Sequence, residues 1–192
     1  MLRQAIKELK LLLTNLESLS FSDDVEKAAN LLATAFQSGN KLLLVGNGGS
    51  AAEAQHMAAE YTGTLNSKNF RVGYPAVALT TDTSFLTAWS NDFGLEQIFS
   101  RQVQTLGCPG DVLLSYSTSG NSVNILRAVE AAKSKSMLTI GFCGNDGGAL
   151  VKVCDMSFSV PSLSTTRIQE IHTLLGHTIC AQVENILGDI KK

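Results

Sequence analysis

One stretch constrains the chain more than any other: Lys41 to Glu60, KLLLVGNGGSAAEAQHMAAE. Lys41-Leu42-Leu43-Leu44-Val45 is a short continuous apolar run, the pattern of a strand buried on both faces. Gly46-Asn47-Gly48-Gly49 cannot continue that strand, and lets backbone approach a ligand with no Cβ in the way. Ser50 with Glu53 three residues on has capping-box spacing, which predicts a helix beginning there. A helix N-terminus behind a glycine turn is an anion site, with free N–H groups and the positive dipole end facing outward. His56 and Glu60 follow in that helix, four apart and therefore on one side.

The rest of the chain repeats this alternation. Helical periodicity covers residues 2–19 (Leu2, Ile6, Leu9, Leu13, Leu16) and 23–38, with a break at Ser20-Phe21-Ser22 and an end at Gly39. Strand patterns lie at Ala76–Leu79, Asp111–Tyr116, Met137–Phe142 and Met156–Val160, the last stopped by Pro161. Helical patterns fall between them, at Phe85–Ser90, Glu96–Leu106, from Ser122 to Lys135 and in a short turn near Leu150. A long final helix runs from Thr166 to Leu187, and Asn91-Asp92-Phe93-Gly94 reads as a turn. This order predicts an α/β fold: a parallel sheet in a three-layer αβα sandwich, flavodoxin- or Rossmann-like, with right-handed crossovers and an N-terminal helical extension. Residues 41–192 form the main domain. Residues 1–40 form helices that pack in an oligomer, because Leu9, Leu11, Leu12, Leu13, Leu16 and Leu19 spread over more of the first helix than one sheet face covers. Ligands of such sheets sit outside the carboxyl ends of the strands. Here those ends carry Gly46–Ser50, Asp82 and Ser117–Ser122.

Bulk properties narrow the function. A chain of 192 residues makes one domain with its extension. A net charge of −2 gives no signal for nucleic acid. No apolar run approaches the ~18 residues of a membrane span, and the charged amphipathic start is unlike a signal peptide. Cys108, Cys143, Cys154 and Cys180 are widely spaced and form no CxxC, so they read as reduced, mostly buried thiols of a cytoplasmic protein.

The loop Ser117-Thr118-Ser119-Gly120-Asn121-Ser122 offers many hydroxyl and amide donors ahead of a helix. It holds no Lys or Arg, which suits the phosphate of a small polar metabolite. Gly46 to Ala51 also fits G-x-G-x-x-A, the dinucleotide fingerprint. That scheme needs an acidic residue ~20 positions on, and Asp82 lies more than thirty past Gly46. The final helix has its apolar stripe at Ile168, Leu175 and Ile179, with His172 on the flank. His177 falls about 80° around from Gln169 and about 12 Å along the axis. His56 and Glu60 with a further histidine are a plausible N/O ligand set for zinc or a similar ion. Plain structural roles for the histidines, and a Thr166/Gln169 capping box, are the alternatives.

Together VGNGGSAAEAQHMAAE, SNDFG, GDVLLSYSTSGNS, GNDGG and RIQEIH resemble the sugar isomerase (SIS) domain family. Within it they look most like the bacterial sedoheptulose 7-phosphate (phosphoheptose) isomerases, nearly end to end. The resemblance implies an aldose–ketose isomerase that converts D-sedoheptulose 7-phosphate to D-glycero-D-manno-heptose 7-phosphate, the first step toward activated heptose for lipopolysaccharide, capsule or another surface glycan. It implies a cytoplasmic homotetramer with sites at subunit contacts and one zinc per subunit. Carried over by motif, Ser117, Thr118, Ser119 and Ser122 would hold the phosphate. Asn47, Gly48, Gly49, Asn91 and Asp92, with Glu60 and Gln169, would contact substrate. His56, Glu60, Gln169 and His177 would bind the metal, and Glu60 and His177 would be the acid–base pair. A sister branch is a non-catalytic tetramer that binds the replication initiator; it lacks the acidic residue at 60 and the imidazole at 177. Both are present here, although Ala51-Ala52-Glu53-Ala54-Gln55 is closer to that branch.

An enediol route needs a base beside C1 and C2 and a donor beside the oxygens. A carboxylate in a partly dry pocket can take and return a carbon-bound proton, which makes Glu60 the candidate base. His177 is the candidate for proton delivery.

Overall fold

The computed structural model describes residues 1–17, 21–68 and 70–188. Two helices come first, α1 (Leu2–Glu17) and α2 (Phe21–Gln37). They lead into β1 (Leu42–Gly46), α3 (Gly49–Thr62), β2 (Ala76–Ala78) and α4 (Thr83–Phe93). A short 3₁₀ turn at Leu95–Gln97 then gives way to α5 (Ile98–Leu106), β3 (Val112–Ser117), α6 (Val123–Ser134) and β4 (Leu138–Gly144). The last elements are α7 (Leu150–Val153), β5 (Met156–Val160) and α8 (Thr165–Leu187). Ser18, Leu19 and Ser20, assigned above to the first helix and its break, lie outside the described residues. The second helix starts at Phe21, two residues before the acidic pair that marks it in sequence.

All five strands are parallel, in the order β2-β1-β3-β4-β5. Period-2 alternation divides β1 between two cores. Leu42 and Leu44 join α2, α3 and α8 on one face, with Ala28, Leu32, Met57, Tyr61, Ile168 and Ile179. Leu43 and Val45 join α5 and α6 on the other, with Phe99, Val103, Ile125 and Val129. This is the expected three-layer sandwich. Burial on both faces explains why β1 reads as an unbroken apolar run and why β3 is buried throughout, Ser115 and Ser117 included.

The chain leaves β1 for β2 on one side, then returns to place β3 on the other. The strand order therefore reverses between β1 and β3, and a crevice opens at their carboxyl ends. Gly46 pairs in register with Tyr116, so the loop after β1 and the loop after β3 leave the sheet side by side. At the opposite end the buried Asp111 accepts bonds from the Lys41 N–H (3.0 Å), Lys41 Nζ (2.5 Å) and the Cys108 N–H (2.8 Å). Burial pushes its carboxyl up, but those bonds outweigh it and hold the pKa below the ordinary value.

Helix α1 differs from the rest. Leu12 is its one buried residue, while Leu2, Ile6, Leu11 and Leu13 are exposed. The four cysteines are free thiols: Cys143 and Cys180 buried, Cys154 half-buried, Cys108 exposed. Among the described residues, no helix is long and apolar enough to cross a membrane.

Candidate functional site

Helices α3 and α8 lie side by side on one face of the sheet, and successive residue pairs show that they run parallel. A Cβ on Gly49 would meet the Gln169 amide, 2.6 Å from its Nε2. Thr173 Oγ1 donates to Glu53 Oε2 at 2.7 Å. A turn later, His56 Nε2 and His177 Nε2 meet at 2.7 Å, their rings edge to face. On each helix these residues recur every three or four positions, so each helix shows one face to the other. Gly176 allows the close approach, since a Cβ there would press on Met57 Sδ at 2.9 Å.

Two ring nitrogens at 2.7 Å form a hydrogen bond only if one carries a proton and the other a lone pair. His56 Nδ1 stands 3.7 Å from Glu60 Oε1, too long for a hydrogen bond but close enough for attraction. Glu60 thus reaches His177 through His56, along a line of carboxylate, imidazole and imidazole. All three side chains are partly open to solvent. Two nitrogens on one zinc at ~2.0–2.1 Å sit roughly 3.3 Å apart, so the pair fits as two donors after a small opening. Glu60 faces the other ring nitrogen of His56 and does not complete that pair as arranged. Among the described residues, no group of three or more His, Cys, Asp or Glu side chains is arranged to hold a metal.

Across the crevice, the loop after β3 is held mainly by itself and by the loop after β4. Ser117 Oγ donates to Ser122 Oγ (3.2 Å), and the Gly120 N–H donates to the Ser117 carbonyl (2.9 Å). The Asn121 side chain donates to the Ser119 carbonyl (2.8 Å) and accepts from the Ala149 N–H (3.0 Å). Ser122 is the N-cap of α6 with no side-chain cap bond, so the helix N-terminus faces the loop. The loop after β1 is tied to the first turn of α6 by a reciprocal amide pair: Asn47 and Asn124 each donate to the other at 2.9 Å.

Other sequence expectations need correction. Helix α3 begins at Gly49 with Gly48 (φ 55°) as N-cap and no side-chain cap. Ser50 and Glu53 therefore form no capping box; Ser50 is buried inside the helix and Glu53 turns to α8 instead. The N-cap position of α8 is Ser164, without a side-chain cap bond, so Thr166 and Gln169 form no capping box either. Asn91 to Phe93 are not a turn but the last turn of α4, where Asn91 Nδ2 donates to Asp92 Oδ1 (2.8 Å) on an exposed surface. Asp82, the acidic residue that a dinucleotide reading would need, caps α4 by accepting from the Phe85 N–H at 2.9 Å. His172 is 1% exposed and bonds the Cys143 carbonyl at 3.1 Å, a structural role. Burial pulls its pKa down to about 4.

Sequence reasoning missed Glu53, Asn124 and Arg71. Glu53 stands three residues before His56 and so on its side of the helix. Its Oε1 and the nearby Tyr116 hydroxyl are buried without a hydrogen-bond partner. Burial, with the Glu53 charge behind it, pushes the Tyr116 phenol up.

Residues 6–144 match the SIS domain family. The chain is 53% identical over 161 residues to the phosphoheptose isomerase of Burkholderia pseudomallei strain 1710b, covering 84% of this chain and 81% of that one. The chain is a SIS domain protein of the phosphoheptose isomerase family. A second relative, the phosphoheptose isomerase of Aliarcobacter butzleri, is 48% identical over 169 residues, 88% of each chain. Among solved structures, this SIS domain superposes on the phosphoheptose isomerase of Neisseria gonorrhoeae with a TM-score of 0.89 at 42% identity, over 96% of this chain and 97% of that one. The phosphoheptose isomerase of Francisella tularensis gives a TM-score of 0.90 at 33% identity, over 96% of both. These SIS domain relatives match helices and sheet alike.

Proposed function

We propose that the chain is an aldose–ketose isomerase that converts D-sedoheptulose 7-phosphate to D-glycero-D-manno-heptose 7-phosphate. The observation that carries this reading is the line Glu60, His56, His177 on paired helices, beside a phosphate-type loop, in a chain about half identical to phosphoheptose isomerases. Ser117, Thr118, Ser119 and Ser122 hold the phosphate with the N-terminus of α6. Asn47, Gly48, Gly49 and Gln169 line the sugar, and Asn91 and Asp92 reach it from α4 in an assembled homotetramer.

Isomerisation moves one proton from C1 to C2 and another from the C1 oxygen to the C2 oxygen, through a cis-enediol. Glu60 takes the C1 proton and returns it to C2. His177 gives a proton to the C2 oxygen, and the imidazole pair recovers one from the C1 oxygen. The hydrogen bond between the two rings supports this role, because it holds one proton between two ring nitrogens. The phosphate fixes the chain so that its far end reaches the carboxylate, which is catalysis by positioning. Zinc, one per subunit, would be held by His56 and His177 through their facing Nε2 atoms; Glu60 and Gln169 would join as ligands only if the Glu60 carboxylate turned away from His56 Nδ1. When bound it supplies Lewis acidity to a sugar oxygen. The reaction belongs in the cytoplasm, ahead of activated-heptose synthesis for surface glycans.

The test is turnover of sedoheptulose 7-phosphate by the purified chain beside Glu60→Gln, which keeps shape and removes the base. Wild-type turnover with a loss of roughly a hundredfold in the variant is the expected result. Equal rates would remove Glu60 from the chemistry.

A further inference from the structure

Arg71 lies in the connection between α3 and β2, outside every motif above, yet it is only 8% exposed. Its guanidinium makes four hydrogen bonds. Nε donates to Glu184 Oε1 at 2.7 Å, Nη1 to the Tyr61 carbonyl at 2.9 Å and the Val72 carbonyl at 3.1 Å, and Nη2 to the Glu60 carbonyl at 2.8 Å. The plane stacks on Tyr74 at 3.9 Å. Glu184 Oε1 also accepts the Leu65 N–H at 3.0 Å. The last carbonyls of a helix lack internal partners and sit at its negative dipole end, where a buried cation is favoured. Two of those carbonyls in α3 belong to Glu60 and its neighbour.

Glu184 is on α8, seven residues beyond His177. That is two turns along the same face, about 10.5 Å by helix rise. One ion pair therefore spans from the backbone of Glu60 to the helix that carries His177. We propose that Arg71, braced by Glu184, is a positioning residue for the isomerisation. It fixes the last turn of α3 against α8, and so sets where the Glu60 carboxylate stands relative to the His56–His177 pair. The inference rests on the isomerase reading. Lysine keeps the charge but has no planar fork, so it cannot hold two carbonyls and a carboxylate together.

The test compares wild type, Arg71→Lys and Glu184→Gln as full-length proteins, by steady-state kinetics, thermal melting and ¹⁵N NMR of the histidine rings. A folded Arg71→Lys is expected to lose roughly tenfold or more in kcat while KM stays within about twofold, since the phosphate loop is across the crevice. Glu184→Gln keeps the shape and one acceptor and should lose less, in the same direction; it decides alone if Arg71→Lys fails to fold. A lower melting temperature with unchanged kcat per folded chain would overturn the proposal. Wild type without turnover would instead overturn the isomerase reading. The ring signals of His56 and His177 in the ligand-free protein then judge the clamp: a shift in either variant supports it, and unchanged signals reject it.

Discussion

The two loops of the crevice look alike in sequence and are built differently. Both follow a buried strand, both are glycine-bearing, and both lead into a helix. The loop after β1 is bounded by side chains, with the Gln169 amide over Gly49 and the Asn124 amide against Asn47. The loop after β3 packs on the loop after β4, through the Asn121 side chain and, at Gly120, backbone to backbone. A Cβ on Gly120 would fall on the Gly147 carbonyl, and the Gly120 carbonyl accepts the Leu150 N–H at 2.9 Å. Side chains swing and backbone does not. The second loop is therefore the more fixed of the two at Gly120. Under the proposed function it would be the cradle for the phosphate, which does not change during the reaction, and the first would adjust around the end of the sugar that does.

Substitutions test that contrast, and Gly120→Ala should have the largest effect. Gly120 has φ 64°, and the added methyl has a carbonyl in its way, so a loss of about 3 kcal/mol is expected by chemical denaturation. A loss under 1 kcal/mol would mean that the cradle yields.

Acid should loosen the same side of the crevice next. Neutral His172 donates to the Cys143 carbonyl near the end of β4, just before the turn that braces the cradle. Its folded pKa of about 4 lies below the unfolded value of 6.5, so the unfolded chain binds the extra proton first. Stability should therefore fall as pH drops from 6.5 to 4, by on the order of 3 kcal/mol at most. His172→Gln, which can still donate to that carbonyl, should flatten this part of the curve. An unchanged slope would assign the acid sensitivity elsewhere.

Asn124→Ala cuts the tie between the first loop and α6 and leaves the Asn47 amide without that partner. It should cost about 1–2 kcal/mol in denaturation and raise KM for the sugar phosphate. Gly49→Ala should be the mildest for stability. Its methyl meets only the end of a flexible side chain at the start of a helix, and alanine favours helix, so stability should stay within about 1 kcal/mol. Turnover should still fall, because Gln169 is displaced. If Gly49→Ala proves as damaging to stability as Gly120→Ala, the two loops are equally rigid and the contrast fails.

Much of the fold was legible because its signals are local. The apolar runs of β1 and β3, the glycine breaks and the 3.6-residue stripe of Ile168, Leu175 and Ile179 each sit within one element. His56 and Glu60 share a helix face by spacing alone. Errors came where a local pattern competed with a distant partner. Ser50 and Glu53 had capping-box spacing, but Thr173, 120 residues away, took the carboxylate. Asn91 and Asp92 have turn chemistry, yet they continue α4 to the glycine at 94.

The sequence alone determined the alternation of strand and helix, the small-residue loops at two strand tips, and the carboxylate and imidazoles in reach of them. Only the tertiary structure decided that α3 and α8 run side by side in register, that Asn124 and Arg71 belong to the site's frame, and that His172 does not act in it. The reason is physical. Periodicity reports which face of an element is buried, but which side chains meet across two elements depends on how those faces pack.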